Sequence, residues 1–217
     1  MPHTTALVFD LDGTLIDSLP AISSSVNAML ADMGCAPLPV AQIRGFIGKG
    51  APNLVKQTIE AAGLPEDAVD RALSTMMRHY SAAEDGNIPF DHMFDTLRGL
   101  LVAGYALGIC TNKPGPATTT VLDHLGMAEL FDVVISGDSL PHRKPHPAPL
   151  NAAFDALGRA NRIYIGDSEV DAETAEAAEV PFVLYTEGYR KAPVSDLTHR
   201  AAFDDFRTLP EIIASLQ

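Results

Sequence analysis

The chain has 217 residues, of which 47% are hydrophobic and 20% charged, enough to bury one full core or a core carrying a sizeable insertion. Lys and Arg number 15 against 28 Asp and Glu, and the formal net charge is −13 at pH 7. This charge repels nucleic-acid backbones and anionic membrane surfaces, so neither is an expected partner.

Short apolar runs predict the strands of one parallel sheet. They lie at 6–9, 105–110, 133–135, 162–165 and 182–185. From the second run onward they alternate with segments of helical spacing at 118–125, 149–157 and 170–178. Alternating strands and helices predict an α/β fold, a Rossmann-like parallel sheet with helices on both faces.

The stretch from 17 to 89 breaks this alternation. It contains no convincing strand, and helical spacing recurs at 20–33, 52–62 and 66–80. A connection between a strand and its helix is normally only a few residues long. We therefore predict an inserted all-helical domain at 17–87 and a core domain formed by 1–16 and 88–217.

In an open parallel sheet, ligands bind beyond the carboxyl ends of the strands. The polar residues after the predicted strands comprise three acids, three neutral hydrogen-bonding residues and one lysine. They are Asp10, Asp12, Thr111, Asn112, Lys144, Asp167 and Ser168. We expect these side chains to converge on one site.

Three carboxylates at one site suit Mg²⁺, which prefers hard oxygen ligands and substrate phosphate oxygens. Asp10 and Asp12 are two residues apart on extended backbone and point the same way. Lys144, Thr111 and Asn112 would hold the remaining phosphate oxygens. Asp10 could then attack phosphorus to form an aspartyl-phosphate, with Asp12 as the general acid and base.

Four segments resemble the motifs of the haloacid dehalogenase superfamily in order and spacing: DLDGT at 10–14, TN at 111–112, KP at 144–145 and GDSEVD at 166–171. The resemblance implies the same roles for Asp10 and Asp12. It also implies that Mg²⁺ is bound by Asp10, the backbone carbonyl of Asp12 and Asp167. It further implies that Thr111 and Lys144 bind phosphate, beneath an all-helical cap inserted after the first motif.

Asp12 is absent from the true dehalogenases of this superfamily, so the resemblance favours a phosphatase or a phosphomutase. GKGAPNL at 48–54 and EGYR at 187–190 look most like phosphoglycolate phosphatases. The predicted substrate is therefore a small phosphorylated metabolite, 2-phosphoglycolate. Phosphosugar phosphatases, β-phosphoglucomutase-like phosphomutases and pyrophosphatases share the same outline. A non-enzymatic receiver module phosphorylated on Asp10 is the alternative of a different class.

Several neighbouring residues are expected to shape the site rather than react: Gly13, Thr14, Ser168 and Asp171. Ser168 and Asp171 form an S-x-x-D pattern that predicts the start of a helix, and Asp167 is the better metal ligand. Thr111 also suits a helix N-cap. Lys49, between two glycines in the insertion, is a candidate for binding a second anionic group of the substrate.

The cysteine pattern and the hydropathy of the sequence indicate the cellular compartment of the protein. Cys35 and Cys110 form no CxxC pair, which favours a reducing compartment. We find no targeting segment and no apolar run of the roughly 20 residues that a membrane span needs. The expectation is a cytoplasmic protein, with monomer and dimer both open.

Overall fold

The computed structural model describes residues 4–217, apart from the side chain of Glu84, so residues 1–3 of the predicted core lie outside the described part. The strands are β1 (Thr5–Phe9), β2 (Ile16–Asp17), β3 (Ile88–Pro89), β4 (Ala106–Cys110), β5 (Val133–Ile135), β6 (Asn161–Gly166), β7 (Phe182–Tyr185) and β8 (Ala201–Phe203). The α-helices are α1 (Leu19–Asp32), α2 (Val40–Arg44), α3 (Ala51–Ala61), α4 (Val69–Tyr80), α5 (Met93–Val102), α6 (Gly115–His124), α7 (Ala148–Leu157), α8 (Glu169–Ala177) and α9 (Leu209–Ser215). Within the described range, no helix combines the length and apolarity needed to cross a bilayer.

Six strands form one parallel sheet in the order β5-β4-β1-β6-β7-β8. The five predicted strands are confirmed, and β8 is an additional edge strand of three residues. A run this short carries too little alternation to predict a strand. Phe9, the last residue of β1, pairs with Ile109 on one side and Ile165 on the other. This register brings the segments that follow β1, β4 and β6 to the same edge of the sheet.

Both faces of the sheet are covered, as predicted. Leu7 and Phe9 of β1 belong to a buried cluster that includes residues of α5, α6 and α9. Ala6 and Val8 belong to a second cluster with residues of α7 and α8. Alternate residues of a strand point to opposite faces, so a fully apolar β1 is buried on both sides.

The insertion forms a helical cap. Apolar side chains of helices α1 to α4 pack against one another and against the core. Met29, Leu54 and Met76, from three different cap helices, join the same buried cluster as Leu7 and Phe9. The predicted boundaries at 17 and 87 stay a prediction.

One expectation about the insertion was wrong. The stretch from 17 to 89 is not free of strands, because β2 (Ile16–Asp17) and β3 (Ile88–Pro89) pair antiparallel. Two residues per strand are too few to show a period in sequence. The pairing depends on the chain leaving and re-entering the core side by side.

Candidate active site

The candidate site lies at the carboxyl ends of β1, β4 and β6, beside the helical insertion. The Asp10 amide donates to the carbonyl of Ile165 at 2.9 Å, and the Thr111 amide donates to the carbonyl of Ile135 at 2.9 Å. These bonds extend the ladder one residue past each strand, which fixes the backbone of both residues. Asp167 follows β6 directly. The structure therefore brings Asp10 to the same edge of the sheet as Thr111 and Asp167, which lie about 100 and 157 positions later in the sequence.

Three buried carboxylates form the centre of the site. Asp10, Asp167 and Asp171 each place one oxygen within 4.8 Å of the others. Asp10 and Asp167 are two of the predicted metal ligands. The Asp12 side chain accepts from Lys113, and the expected role of its backbone carbonyl as a metal ligand stays a prediction.

The charge of this cluster is only partly compensated by protein groups. Burial raises the pKa of Asp10 to about 7, and the neighbouring Asp171 adds to the rise while Lys144 opposes it. Burial, Asp171 and Asp10 likewise hold the pKa of Asp167 well above its ordinary value. A divalent cation would offset this excess of negative charge, and an all-oxygen donor set suits Mg²⁺. The residues present therefore fit the predicted cofactor.

Lys144 neutralises one side of the cluster. Its Nζ lies 2.9 Å from Oδ1 of Asp10 and 2.7 Å from Oδ1 of Asp171, and it donates to the Tyr164 hydroxyl at 2.9 Å. Burial disfavours the ammonium, but the two carboxylates more than offset this and raise the pKa of Lys144. Lys144 is therefore a fixed cation beside the predicted nucleophile.

Asp171 holds neighbouring groups in place. Burial opposes its ionisation, yet Lys144, Ser168 and Tyr164 lower its pKa below the ordinary value. Oδ2 of Asp171 accepts from the Ser168 hydroxyl at 2.6 Å and from the amides of Asp167 at 3.2 Å and Ser168 at 3.1 Å. Ser168 and Asp171 form a capping box at the start of α8, as the S-x-x-D pattern predicted. These contacts support a site-shaping role.

Two glycines, a threonine hydroxyl and a backbone amide surround the Asp167 side chain. Gly13 has a φ of 88°, and a Cβ there would lie 2.5 Å from Oδ2 of Asp167. Thr14 donates from Oγ1 to Oδ1 of Asp167 at 2.7 Å, and the Tyr189 amide donates to Oδ2 at 2.6 Å. A Cβ at Gly188 would overlap the Asp167 side chain. Gly188 and Tyr189 lie within the EGYR segment, whose role the sequence alone did not identify.

The two polar residues after β4 have different surroundings. Thr111 is buried and lines a cavity together with Asp10 and Asp12. It is not an N-cap, because α6 starts only at Gly115. The Asn112 side chain forms hydrogen bonds with backbone groups. Its Nδ2 donates to the carbonyls of Lys144 at 3.0 Å and Gly48 at 3.1 Å, and its Oδ1 accepts from the Lys144 amide at 3.0 Å. Asn112 thus anchors the Lys144 loop, and its predicted contact with phosphate stays a prediction.

Lys113 is a buried cation of the site that the sequence analysis missed. Its Nζ donates to Oδ1 of Asp12 at 2.8 Å and to the hydroxyl of Tyr80, the last residue of α4, at 2.5 Å. Its side chain is only 4% exposed, against 16% for that of Asp12. Its position directly after Thr111 and Asn112 was the one available signal. Sequence spacing cannot reveal the contact with the insertion.

Two cavities meet at Asp10 and Asp12. The smaller, about 60 Å³, lies between insertion and core and is lined by Lys113, Tyr80, Thr111 and apolar residues that include Ile22, Leu54, Met76 and Met77. The larger, about 520 Å³, extends past Asp167 and includes Lys49 and Lys191. Lys49 is exposed. The structure therefore places Lys49 at the entrance to the site.

Comparison with known proteins agrees with this geometry. The family model described as haloacid dehalogenase-like hydrolase matches residues 7–185. The chain belongs to this family. It is 46% identical over 210 residues to a phosphoglycolate phosphatase of Rhodobacter capsulatus, covering 96% of each chain. It is 40% identical over 213 residues to a phosphoglycolate phosphatase of Rhodospirillum rubrum, covering 94% of this chain and 88% of the relative.

A solved structure extends the comparison to three dimensions. A predicted phosphoglycolate phosphatase from Haemophilus somnus 129pt superimposes with a TM-score of 0.91 at 30% identity, covering 96% of this chain and 97% of the other. The family resemblance of the four sequence motifs is confirmed, and so is the α/β fold with its inserted cap. The roles of the individual site residues stay predictions.

Proposed function

We propose that this haloacid dehalogenase-like hydrolase is a Mg²⁺-dependent phosphatase that cleaves 2-phosphoglycolate to glycolate and phosphate through an aspartyl-phosphate. One observation carries the proposal. A carboxylate that follows β1, that of Asp10, lies 2.9 Å from the buried Lys144 ammonium and within 4.8 Å of a second buried carboxylate, Asp167. Such an arrangement positions a nucleophile where the charge of a phosphoryl group can be neutralised.

The first step forms the covalent intermediate. A carboxylate oxygen of Asp10 attacks phosphorus, and the bond between phosphorus and the ester oxygen breaks. Asp12 donates a proton to the departing alkoxide, which leaves as the alcohol. In the second step Asp12 takes a proton from water, whose oxygen attacks phosphorus and breaks its bond to Asp10. Inorganic phosphate leaves, and both carboxyl groups return to their starting state.

Mg²⁺ would be held by Asp10, the backbone carbonyl of Asp12 and Asp167, and would supply positive charge to the phosphoryl oxygens. Lys144 and Thr111 would bind the other phosphoryl oxygens, with Asn112 fixing the Lys144 loop. Mg²⁺ and Lys144 would thus neutralise different oxygens of the phosphoryl group. Together these two cations would offset the charge of the three buried carboxylates, so that a substrate dianion can bind on a chain whose net charge is −13.

Two observations support the substrate. Relatives at 46% and 40% identity over most of the chain are named phosphoglycolate phosphatases. The larger cavity that adjoins Asp10 and Asp12 includes Lys49, a cation that suits the carboxylate of 2-phosphoglycolate.

The decisive experiment is a panel of phosphomonoesters assayed for phosphate release, with Mg²⁺ and with a chelator. We expect 2-phosphoglycolate to have the highest kcat/KM, and phosphosugars and pyrophosphate to be poor substrates. Isomer formation from a phosphosugar without phosphate release would instead identify a phosphomutase. No Mg²⁺-dependent turnover of any member would indicate a receiver module, and either result would refute the proposal.

Lys49 is proposed to attract the carboxylate of the substrate at the entrance to the site. The test compares Lys49→Ala with Lys56→Ala, a second exposed lysine of the insertion, which pairs with Glu66. Lys49→Ala should reduce selectivity for 2-phosphoglycolate over a phosphomonoester with a neutral alcohol, and Lys56→Ala should not. Unchanged selectivity in Lys49→Ala would remove this residue from the specificity assignment.

A further inference from the structure

Lys113 is a cation inside the site that phosphate binding does not require, since Lys144 already lies beside the nucleophile. Its Nζ contacts Asp12 and Tyr80, and its ammonium also lies 4.5 Å from the centre of the Tyr80 ring. Burial disfavours the charged form, but Asp12 and Tyr80 more than offset this and raise the pKa of Lys113. The buried Nζ of Lys113 is therefore paired with the Asp12 carboxylate.

The contacts continue into the insertion. The Tyr80 hydroxyl donates to Oδ1 of Asn87 at 2.7 Å, and both residues are buried. Tyr80 ends α4, the last α-helix of the insertion, and Asn87 immediately precedes β3, where the chain re-enters the core. Asp12 and Lys113 both belong to the core. A continuous row of hydrogen bonds thus joins the insertion to the carboxylate proposed as acid and base.

We propose that Lys113, held by Tyr80 and Asn87 of the insertion, is a positioning residue that orients the Asp12 carboxylate for both proton transfers. The inference rests on the proposed function, because it requires Asp12 to act as acid and base. Lys113 holds Oδ1, so Oδ2 is the oxygen that carries the proton. Asp12 is correctly oriented only while the insertion is docked on the core.

Stability alone does not account for this lysine. A buried ion pair is often replaceable by apolar residues of similar volume without loss of stability, because removing both charges from water offsets their attraction. The rest of the smaller cavity wall includes apolar side chains such as Leu54 and Met76, so an apolar pair at positions 12 and 113 would suit this wall. A cation at this position is therefore better explained by the carboxylate that it holds.

The test is transient kinetics of Lys113→Met and Tyr80→Phe with two substrates. Misorientation of a catalytic group by about 1 Å lowers rates by about 100-fold. We expect kcat for 2-phosphoglycolate to fall about 100-fold in Lys113→Met and less in Tyr80→Phe, with KM nearly unchanged. Lys56→Met and Tyr105→Phe serve as matched controls, because Lys56 pairs with Glu66 and the Tyr105 hydroxyl accepts from Gln217.

The second substrate, p-nitrophenyl phosphate, separates a positioning role from a general loss of structure. Its leaving group needs no proton at neutral pH, so phosphorylation of Asp10 stays fast, while removal of the phosphoryl group still requires Asp12. Both variants should therefore release one equivalent of p-nitrophenolate per enzyme in a burst, followed by slow turnover. Equal slowing of both phases, without a burst, would overturn the inference.

A double-mutant cycle with Asp12→Asn completes the experiment. If Lys113 acts through Asp12, Lys113→Met should not lower kcat further when Asp12 is already replaced. Additive losses, or a rise in KM alone for 2-phosphoglycolate, would show that Lys113 binds substrate and would overturn the inference. Full activity in Asp12→Asn would refute the proposed function itself, so failure of the proposed function is distinguishable from failure of the inference about Lys113.

Thermal unfolding of each variant verifies that it folds. If Lys113→Met does not fold, Tyr80→Phe provides the test.

Discussion

Replacing Asp10 by Asn should stabilise the metal-free protein at neutral and alkaline pH, although it abolishes the proposed nucleophile. The carboxyl is buried, and its pKa rises from 3.8 to about 7 on folding. Each pH unit of difference corresponds to about 1.4 kcal/mol between the two protonation states. The ionised carboxylate therefore destabilises the metal-free fold by about 4 kcal/mol above pH 7.

The direction with pH follows from the same values. The folded-state pKa lies above the unfolded one, so the favourable contribution is complete below pH 3.8 and is lost as the pH rises through about 7. Asparagine resembles the protonated acid at every pH. The difference in unfolding free energy between Asp10→Asn and wild type should thus grow from acid pH to neutrality and then level off.

The assay is urea unfolding with a chelator at pH 4.5, 6 and 8, with Asp123→Asn as the exposed control on α6. We expect Asp10→Asn to exceed wild type by about 4 kcal/mol at pH 8 and by much less at pH 4.5. Added Mg²⁺ should stabilise wild type more than the variant. If Asp10→Asn is no more stable than wild type at pH 8, the inference that this site carries an excess of negative charge is refuted.

Three further substitutions probe the surroundings of the site. Lys144→Met leaves two buried carboxylates without their cation and should cost about 3–5 kcal/mol of unfolding free energy at pH 7, measured in urea. Gly188→Ala places a Cβ against Asp167 and should weaken Mg²⁺ binding by calorimetry, whereas Gly99→Ala, with no neighbour near its Cβ, should not. Tyr189→Phe removes the hydroxyl that accepts from the amides at the start of α1 and should lower stability by about 1–3 kcal/mol in the same urea assay.

Much of the site was predictable because parallel strands end at a common edge. Asp10, Thr111 and Asp167 each follow an apolar run, and the register of β1 with β4 and β6 brings them together. The helix start at Ser168 was predictable for a different reason, since a capping box depends on residues only three apart. Local spacing and strand ends are properties that a sequence displays directly.

Contacts between the insertion and the core were not predictable in this way. The hydrogen bond from Lys113 to Tyr80 depends on how α4 packs against the core. Neither the hydrophobic periodicity of the sequence nor its motifs predict the angle at which a helix packs. The direction of the Asn112 amide, toward the Lys144 backbone, likewise follows from where that loop folds back. Sequence patterns identify which residues reach the edge of the sheet. They do not identify which partners those residues meet there.

The central claim is that Asp10 carries the phosphoryl group during each turnover. Rapid acid quench of Asp12→Asn mixed with p-nitrophenyl phosphate and Mg²⁺, followed by peptide mass analysis, tests it most directly. We expect one phosphoryl group per enzyme on the peptide that contains Asp10, and none when Asp10 is also replaced by Asn. A phosphoryl group on another residue, or wild-type turnover by Asp10→Asn alone, would contradict the mechanism.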